Sequence, residues 1–184
     1  MVARPHRSTA AALVLVVLLA TALGGYAIAS VLEEPTGAAV RIDGLRLRPL
    51  SGWATAGGGE VGGWTFFRLT RGTGILDAAV RSGASSGGVG AAAIRYVDEV
   101  LRRSLVRLLV SEELEAVSTA SGLDGVRFTY TGVVADTRQA IEGEVTVAVT
   151  LAGDAVAFDA WTQTGQLPFV LGDAHAMIDR VEAA

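Results

Sequence analysis

The chain contains no cysteine, which excludes a disulfide framework, a thiol nucleophile, a zinc knuckle and a lipid-modified cysteine. It contains no lysine either: all fifteen basic residues are arginine, and with the heavy use of Ala, Gly and Val this points to a GC-rich genome. Only two histidines are present, His6 and His175, and a lone histidine makes no zinc site without carboxylate partners. Acidic residues are missing from the start of the chain, since all nineteen carboxylates lie at or after Glu33. Beyond Arg4 and Arg7, thirteen arginines face those nineteen carboxylates, a net charge of −6, which leaves nucleic-acid binding without electrostatic support.

What the sequence does have is one long apolar run. No charged residue occurs from Ser8 through Leu32, and Ala10 to Leu23 is densely apolar. About twenty residues at 1.5 Å each cross a hydrocarbon core of roughly 30 Å. The run reads as a membrane anchor, because apolar character resumes after Gly24-Gly25 through Tyr26, Ile28, Val31 and Leu32, beyond the length of a signal-peptide core. The alternative is a secretory signal with Arg4 and Arg7 as its basic region and Ala27-Ile28-Ala29 as a cleavage site, releasing a protein that begins at Ser30. Arginines before the span and Glu33-Glu34 after it put the amino terminus in the cytoplasm, although Arg41, Arg46 and Arg48 lie close to the exit. The expected organisation is a cytoplasmic tail at 1–8, a transmembrane anchor or signal peptide at 9–32, a linker at 33–39 and an extracytoplasmic domain at 40–184.

Within that domain, Val40 to Leu50 alternates in two short runs about Asp43-Gly44, the pattern of a strand or tight hairpin. The glycine-rich segment after Trp53 reads as a mobile loop. Trp64–Thr70 and Ile75–Val80 read as two strands joined across Gly72-Thr73-Gly74. Adjacent Phe66 and Phe67 point to opposite faces, so both faces of the sheet are expected to be covered. "AAAIRYVDEVLRRSLVRLLV" predicts a long helix with Ile94, Val97, Leu101, Leu105 and Leu108 inward. Arg95, Arg102, Arg103 and Arg107 then fall on its outer side, with Asp98–Arg102 and Glu99–Arg103 as i,i+4 pairs. Three alternating strands follow, the last placing Ala157, Asp159 and Trp161 opposite Val156 and Phe158, with Ala152-Gly153-Asp154 as a hairpin loop. Asp173 is expected to cap a closing helix that turns Met177, Ile178 and Val181 inward. The predicted class is α+β: a mainly antiparallel sheet covered by a long central helix and a C-terminal helix, an α/β/α sandwich.

Trp53 in "LSGW", the central helix, "GVRFTYTG" followed by "IEGEVTVAVTLAGDAVAFDAW", and the terminal "AMIDRV" helix give residues 40 to 184 a pattern that resembles the PsbP-like fold of Mog- and LpqN-type proteins. The chain looks like an actinobacterial, membrane-anchored member. The resemblance implies a domain that binds or stabilises other proteins and supplies no catalytic residue set. LpqN-type members are lipoproteins, so here a peptide anchor would take the place of the lipid.

No motif points to catalysis, a cofactor or a metal. "GVGAAA", Gly88 to Ala93, matches the letters of a dinucleotide fingerprint but follows a Ser/Gly loop and lacks a parallel βαβ context. His175 and Asp179 stand at i,i+4 with Asp173 nearby, and read as a surface pair; no G-x-S-x-G elbow is present. The functional expectation is a single-pass envelope protein with a non-catalytic protein-binding or assembly module. Its unidentified partner, or anionic headgroups, would meet the Arg95, Arg102, Arg103 and Arg107 face, and the bilayer would hold 9–32. The alternative is a secreted carrier holding a small apolar ligand between sheet and helix.

Overall fold

The computed structural model describes residues 37–83, 87–120 and 122–183. The expected tail, anchor or signal, and most of the linker lie outside the described residues, as does His6. Among the described residues no helix is long and apolar enough to cross a membrane.

The architecture is α+β. An eight-stranded antiparallel sheet is built from β3 (Ala54–Val61), β4 (Trp64–Arg71), β5 (Gly74–Arg81), β6 (Leu105–Val110), β7 (Glu115–Ser118), β8 (Asp124–Val134), β9 (Ala140–Val149) and β10 (Ala155–Gln163). Its order is β3-β4-β5-β10-β9-β8-β6, with β7 also on β8. A small sheet pairs β1 (Val40–Ile42), β2 (Leu45–Leu47) and β11 (Glu182–Ala183). The β1–β2 hairpin turns at Asp43 and Gly44, both at positive φ, as a two-residue turn of type I′ requires.

Two cores form because inward positions alternate along each strand. On one face Phe67, Leu69, Leu76, Val80, Val156 and Phe158 pack under α3 (Pro168–Ile178), through Ala174, Met177 and Ile178, with Val181 completing the layer. On the other, Trp64, Ala79, Phe128, Tyr130, Val145 and Val147 pack under the central helix. Phe66 joins this second core and Phe67 the first, so both faces are covered as their adjacency demands.

The central helix departs from the periodic pattern. It consists of α1 (Gly88–Tyr96), a π-helical turn (Val97–Leu101) and a single turn α2 (Arg102–Ser104). Arg102 donates its N–H to the Val97 carbonyl, five residues back. The preceding α1 buries Ala92, Ala93 and Tyr96 and leaves Ile94 65% exposed, and the extra residue of the π turn brings Leu101, five after Tyr96, onto the same sheet-facing side. The helix stops at Ser104: Leu105 is already extended, and the β-competent "LVRLLV" becomes edge strand β6. Leu105 and Leu108 therefore belong to a strand, not to a helical stripe.

The glycine-rich segment after Trp53 also forms regular structure, β3, because it pairs with β4 along a sheet edge where exposed backbone needs no packing side chains. At its end Gly62 (φ +60) sits against the Glu99 carbonyl, so the turn packs directly on the π-helical segment and leaves no room for a Cβ. Asp173 lies inside α3, which starts at Pro168, and so does not cap it. It accepts a 2.8 Å hydrogen bond from Trp53 Nε1 and pairs with Arg71, tying helix to sheet.

Candidate functional site

The strand register sets one polar row into an apolar face. Arg68 on β4 stands opposite Asp77 on β5, and Asp77 opposite Asp159 on β10. The row continues to Val145 and Phe128. Two carboxylates directly opposite on neighbouring strands repel, and the sequence offers one cation for the pair. Arg68 takes Asp77, with Nε and Nη2 each at 2.7 Å from its two oxygens, and Trp161 Nε1 donates to the same carboxylate at 3.0 Å. The guanidinium is held over the Phe66 and Trp161 rings, 5.7 and 5.3 Å from their centroids. The hydrogen bond to Asp77 raises the Arg68 pKa against the opposing effect of burial.

Asp159 is left with no arginine. It is 3% exposed and accepts hydrogen bonds from Tyr96 Oη (3.0 Å) and Tyr130 Oη (2.9 Å). Burial pushes its pKa up to about 7, with the Asp77 charge adding to the rise and the two tyrosine hydrogen bonds opposing it. Burial, and then the neighbouring Asp159 charge, raises both tyrosines well above their ordinary value, so they act as donors.

This group lies at a cavity of about 180 Å³ between the sheet and the central helix. Trp64, Tyr96, Leu101, Leu105, Tyr130 and Ile141 supply much of its apolar wall. The π-helical segment contributes Val100 and Leu101 and is pinned from below: Glu99 accepts from Trp64 Nε1 at 3.0 Å and pairs with Arg81, which also donates to the Gly62 carbonyl at 2.7 Å. Glu99 is thus turned toward the sheet and not along the helix toward Arg103.

The expected arginine face is divided. Arg102 pairs with Asp98 at 2.8 Å as anticipated, and Arg103 follows it on the same exposed turn. Arg107 lies on β6 at φ +54, where the register with β8 shifts, so it is not on the helix with Arg95, Arg102 and Arg103. His175 is on the opposite face of the sheet from Asp159; its Nε2 meets Glu144, which also pairs with Arg127 at 3.2 Å. The anticipated His175–Asp179 pair is replaced by this strand contact. Among the described residues no cluster of His, Asp and Glu has the arrangement of a metal site. "GVGAAA" opens α1 after an antiparallel strand, without the parallel neighbour a dinucleotide fold needs.

Asp77 and Asp159 were not singled out from the sequence. The available signal was an aspartate at an inward position of each of two strands, "ILDAAV" and "AVAFDAW", whose neighbours on both faces are apolar. No protein-family model and no curated protein matches the chain. Among solved structures it is similar to a crystal structure from Bacteroides thetaiotaomicron VPI-5482, with a TM-score of 0.54 and 15% sequence identity over 80% of this chain; this chain covers 48% of that one, about half its length, and at that identity the likeness is one of fold.

Proposed function

We propose that the domain is a non-catalytic envelope binding module whose ligand is a small, largely apolar molecule held between the sheet and the central helix. The observation that carries this reading is the cavity itself, apolar in its walls and polar at one point, the usual build of a small-molecule site. Its size favours a compact ligand, since a cavity of about 150 Å³ in an apolar core accommodates benzene. The PsbP/LpqN-like resemblance and the charge pattern around the apolar run support a non-enzymatic module outside the membrane, held by 9–32 or released after Ala29. Native mass spectrometry of the protein recovered separately from washed host membranes and from the medium tests both parts. A mass excess that is lost on denaturation is expected, on a full-length chain if the anchor is retained or on one beginning at Ser30 if it is cleaved. Ligand-free protein from both fractions under several growth conditions would count against the carrier.

A second reading, docking of an envelope protein, is favoured by a groove beside the central helix lined by Ile94, Val97, Val110 and Leu114, with Asp98 and Arg102 also at it. Ile94 and Leu114 are 65% and 51% exposed. Ile94→Asp with Leu114→Asp is expected to abolish recovery of that partner in a pull-down while shifting stability by no more than about 0.5 kcal/mol per site. Recovery equal to that of the unaltered protein would remove this surface from consideration.

A further inference from the structure

Resting on the small-ligand reading, we infer that the cavity selects an organic ammonium ion: a small amine whose charged head sits against Asp159 and whose apolar body is enclosed by the surrounding rings. The inference follows from counting acceptors. A carboxylate offers about four lone-pair positions. Asp77 uses three of them, two on Arg68 and one on Trp161. Asp159 uses two, both on tyrosine hydroxyls, and has no cation bonded to it. It is therefore the buried acceptor at the cavity with unused capacity and an unbalanced charge when ionised.

The walls suit the same guest. Trp64, Tyr96 and Tyr130 line the space with Asp159, next to the Trp161 ring that already holds the Arg68 guanidinium, and aromatic rings attract cations most strongly where water is excluded. An anionic guest would meet two carboxylates and one guanidinium, Arg68, whose hydrogen bonds are already given to Asp77. A neutral guest could occupy the apolar volume beside a protonated Asp159, but above about pH 7 it would leave the ionised carboxylate without a counter-charge.

Proton balance gives the binding event a signature. The groups facing Asp159 are Asp77 from β5, Arg68 from β4, Tyr96 from α1 and Tyr130 from β8. Of these Asp77 and Arg68 neutralise each other and the tyrosines stay protonated. Asp159 is then the group that changes state near neutrality, and an ammonium ion requires it ionised, so binding below about pH 7 releases a proton.

The test is titration calorimetry of the full chain in lipid nanodiscs with benzylamine, benzyl alcohol and benzoate, three probes of one shape and different charge. At about pH 8 benzylamine is expected to bind at least about tenfold more tightly than benzyl alcohol, with benzoate weakest, and the preference is expected to shrink by about pH 6. Asp159→Asn is expected to erase the amine-over-alcohol preference. Benzyl alcohol binding as tightly as benzylamine at the higher pH would overturn the ammonium inference and leave the small-ligand reading in place. Absence of binding by all three at millimolar concentration would overturn both.

Discussion

Asp159→Asn is expected to make the ligand-free protein more stable than the unaltered chain above about pH 7, and to leave the two similar near pH 4. The folded Asp159 holds its proton up to about pH 7, whereas the unfolded side chain releases it near the ordinary value of 3.8. Between those values the folded state binds more protons than the unfolded one, so stability falls as pH rises and stops falling once Asp159 has ionised. At about 1.4 kcal/mol per pH unit, the full loss is roughly 4 kcal/mol as an upper figure. Asparagine carries no charge to desolvate. Its carbonyl can accept from Tyr130, and its amide can donate to Tyr96 once that hydroxyl rotates. For a chain of this size the gap corresponds to about 5–15 °C in Tm at pH 8. Thermal unfolding of both proteins across pH 4 to about 8 measures it, and a difference that does not vary with pH would show that Asp159 is not the group that takes up the proton.

A substitution that stabilises a fold while removing a buried carboxylate bears on function. Stability alone would favour an uncharged residue at 159, because an apolar or amide side chain avoids both burial of the charge and its repulsion by Asp77. A costly ionisable group beside a cavity is consistent with the proposed binding role, in which ligand contact is favoured over stability. The same argument does not extend to Asp77, whose paired arginine and tryptophan account for it structurally.

The hairpins and the two-faced sheet were legible because their signals are local. Asp43-Gly44, Gly72-Thr73-Gly74 and Ala152-Gly153-Asp154 sit between alternating runs, and Phe66-Phe67 demands apolar neighbours on both sides. The central helix was half legible. Its start and the Asp98–Arg102 pair are legible, but a π turn changes the residue count per turn without changing composition. The helical pattern therefore turns Ile94 inward, where the structure buries Tyr96, and puts Glu99 on the charged side, where the structure ties it to Trp64 and Arg81. The run from Leu105 to Val110 satisfies both helical and extended patterns, and pairing with β8 decides between them. The site itself depended on register. Nothing local in "ILDAAV" or "AVAFDAW" places Asp77 opposite Asp159, because strands β5 (Gly74–Arg81) and β10 (Ala155–Gln163) meet only after about seventy residues of intervening chain. The Arg95, Arg102, Arg103 and Arg107 face expected of one helix is broken because the helix ends at Ser104, before its last member.

Gly143→Ala is the second substitution with a large expected effect, and its sign is opposite to the ordinary one. Glycine inside a strand is usually the weaker choice, by about 0.5–1 kcal/mol relative to alanine. Here Gly143 stands between two aromatic neighbours, opposite Tyr130 on β8 and opposite Trp161 on β10. A Cβ at 143 would lie 2.5 Å from Tyr130 Cζ and 2.6 Å from its hydroxyl oxygen. Ordinary carbon contact is about 3.5–4.0 Å, so the ring must retreat by roughly 1 Å. Tyr130 is buried and its hydroxyl reaches Asp159 at 2.9 Å; that retreat takes the bond beyond useful length and leaves the carboxylate with Tyr96 alone. Overpacking and the lost hydrogen bond together are expected to destabilise the fold by about 2–4 kcal/mol. Because the Tyr130 bond holds the Asp159 pKa down, its loss also moves the pH at which stability levels off upward, a shift that a purely steric defect would not produce. Urea unfolding of Gly143→Ala, of Asp159→Asn and of the double variant across pH measures the coupling. If Gly143→Ala proved neutral or stabilising, the Tyr130 ring would not be resting on the bare backbone of β9, and the wall of the proposed ligand pocket would have to be drawn without it.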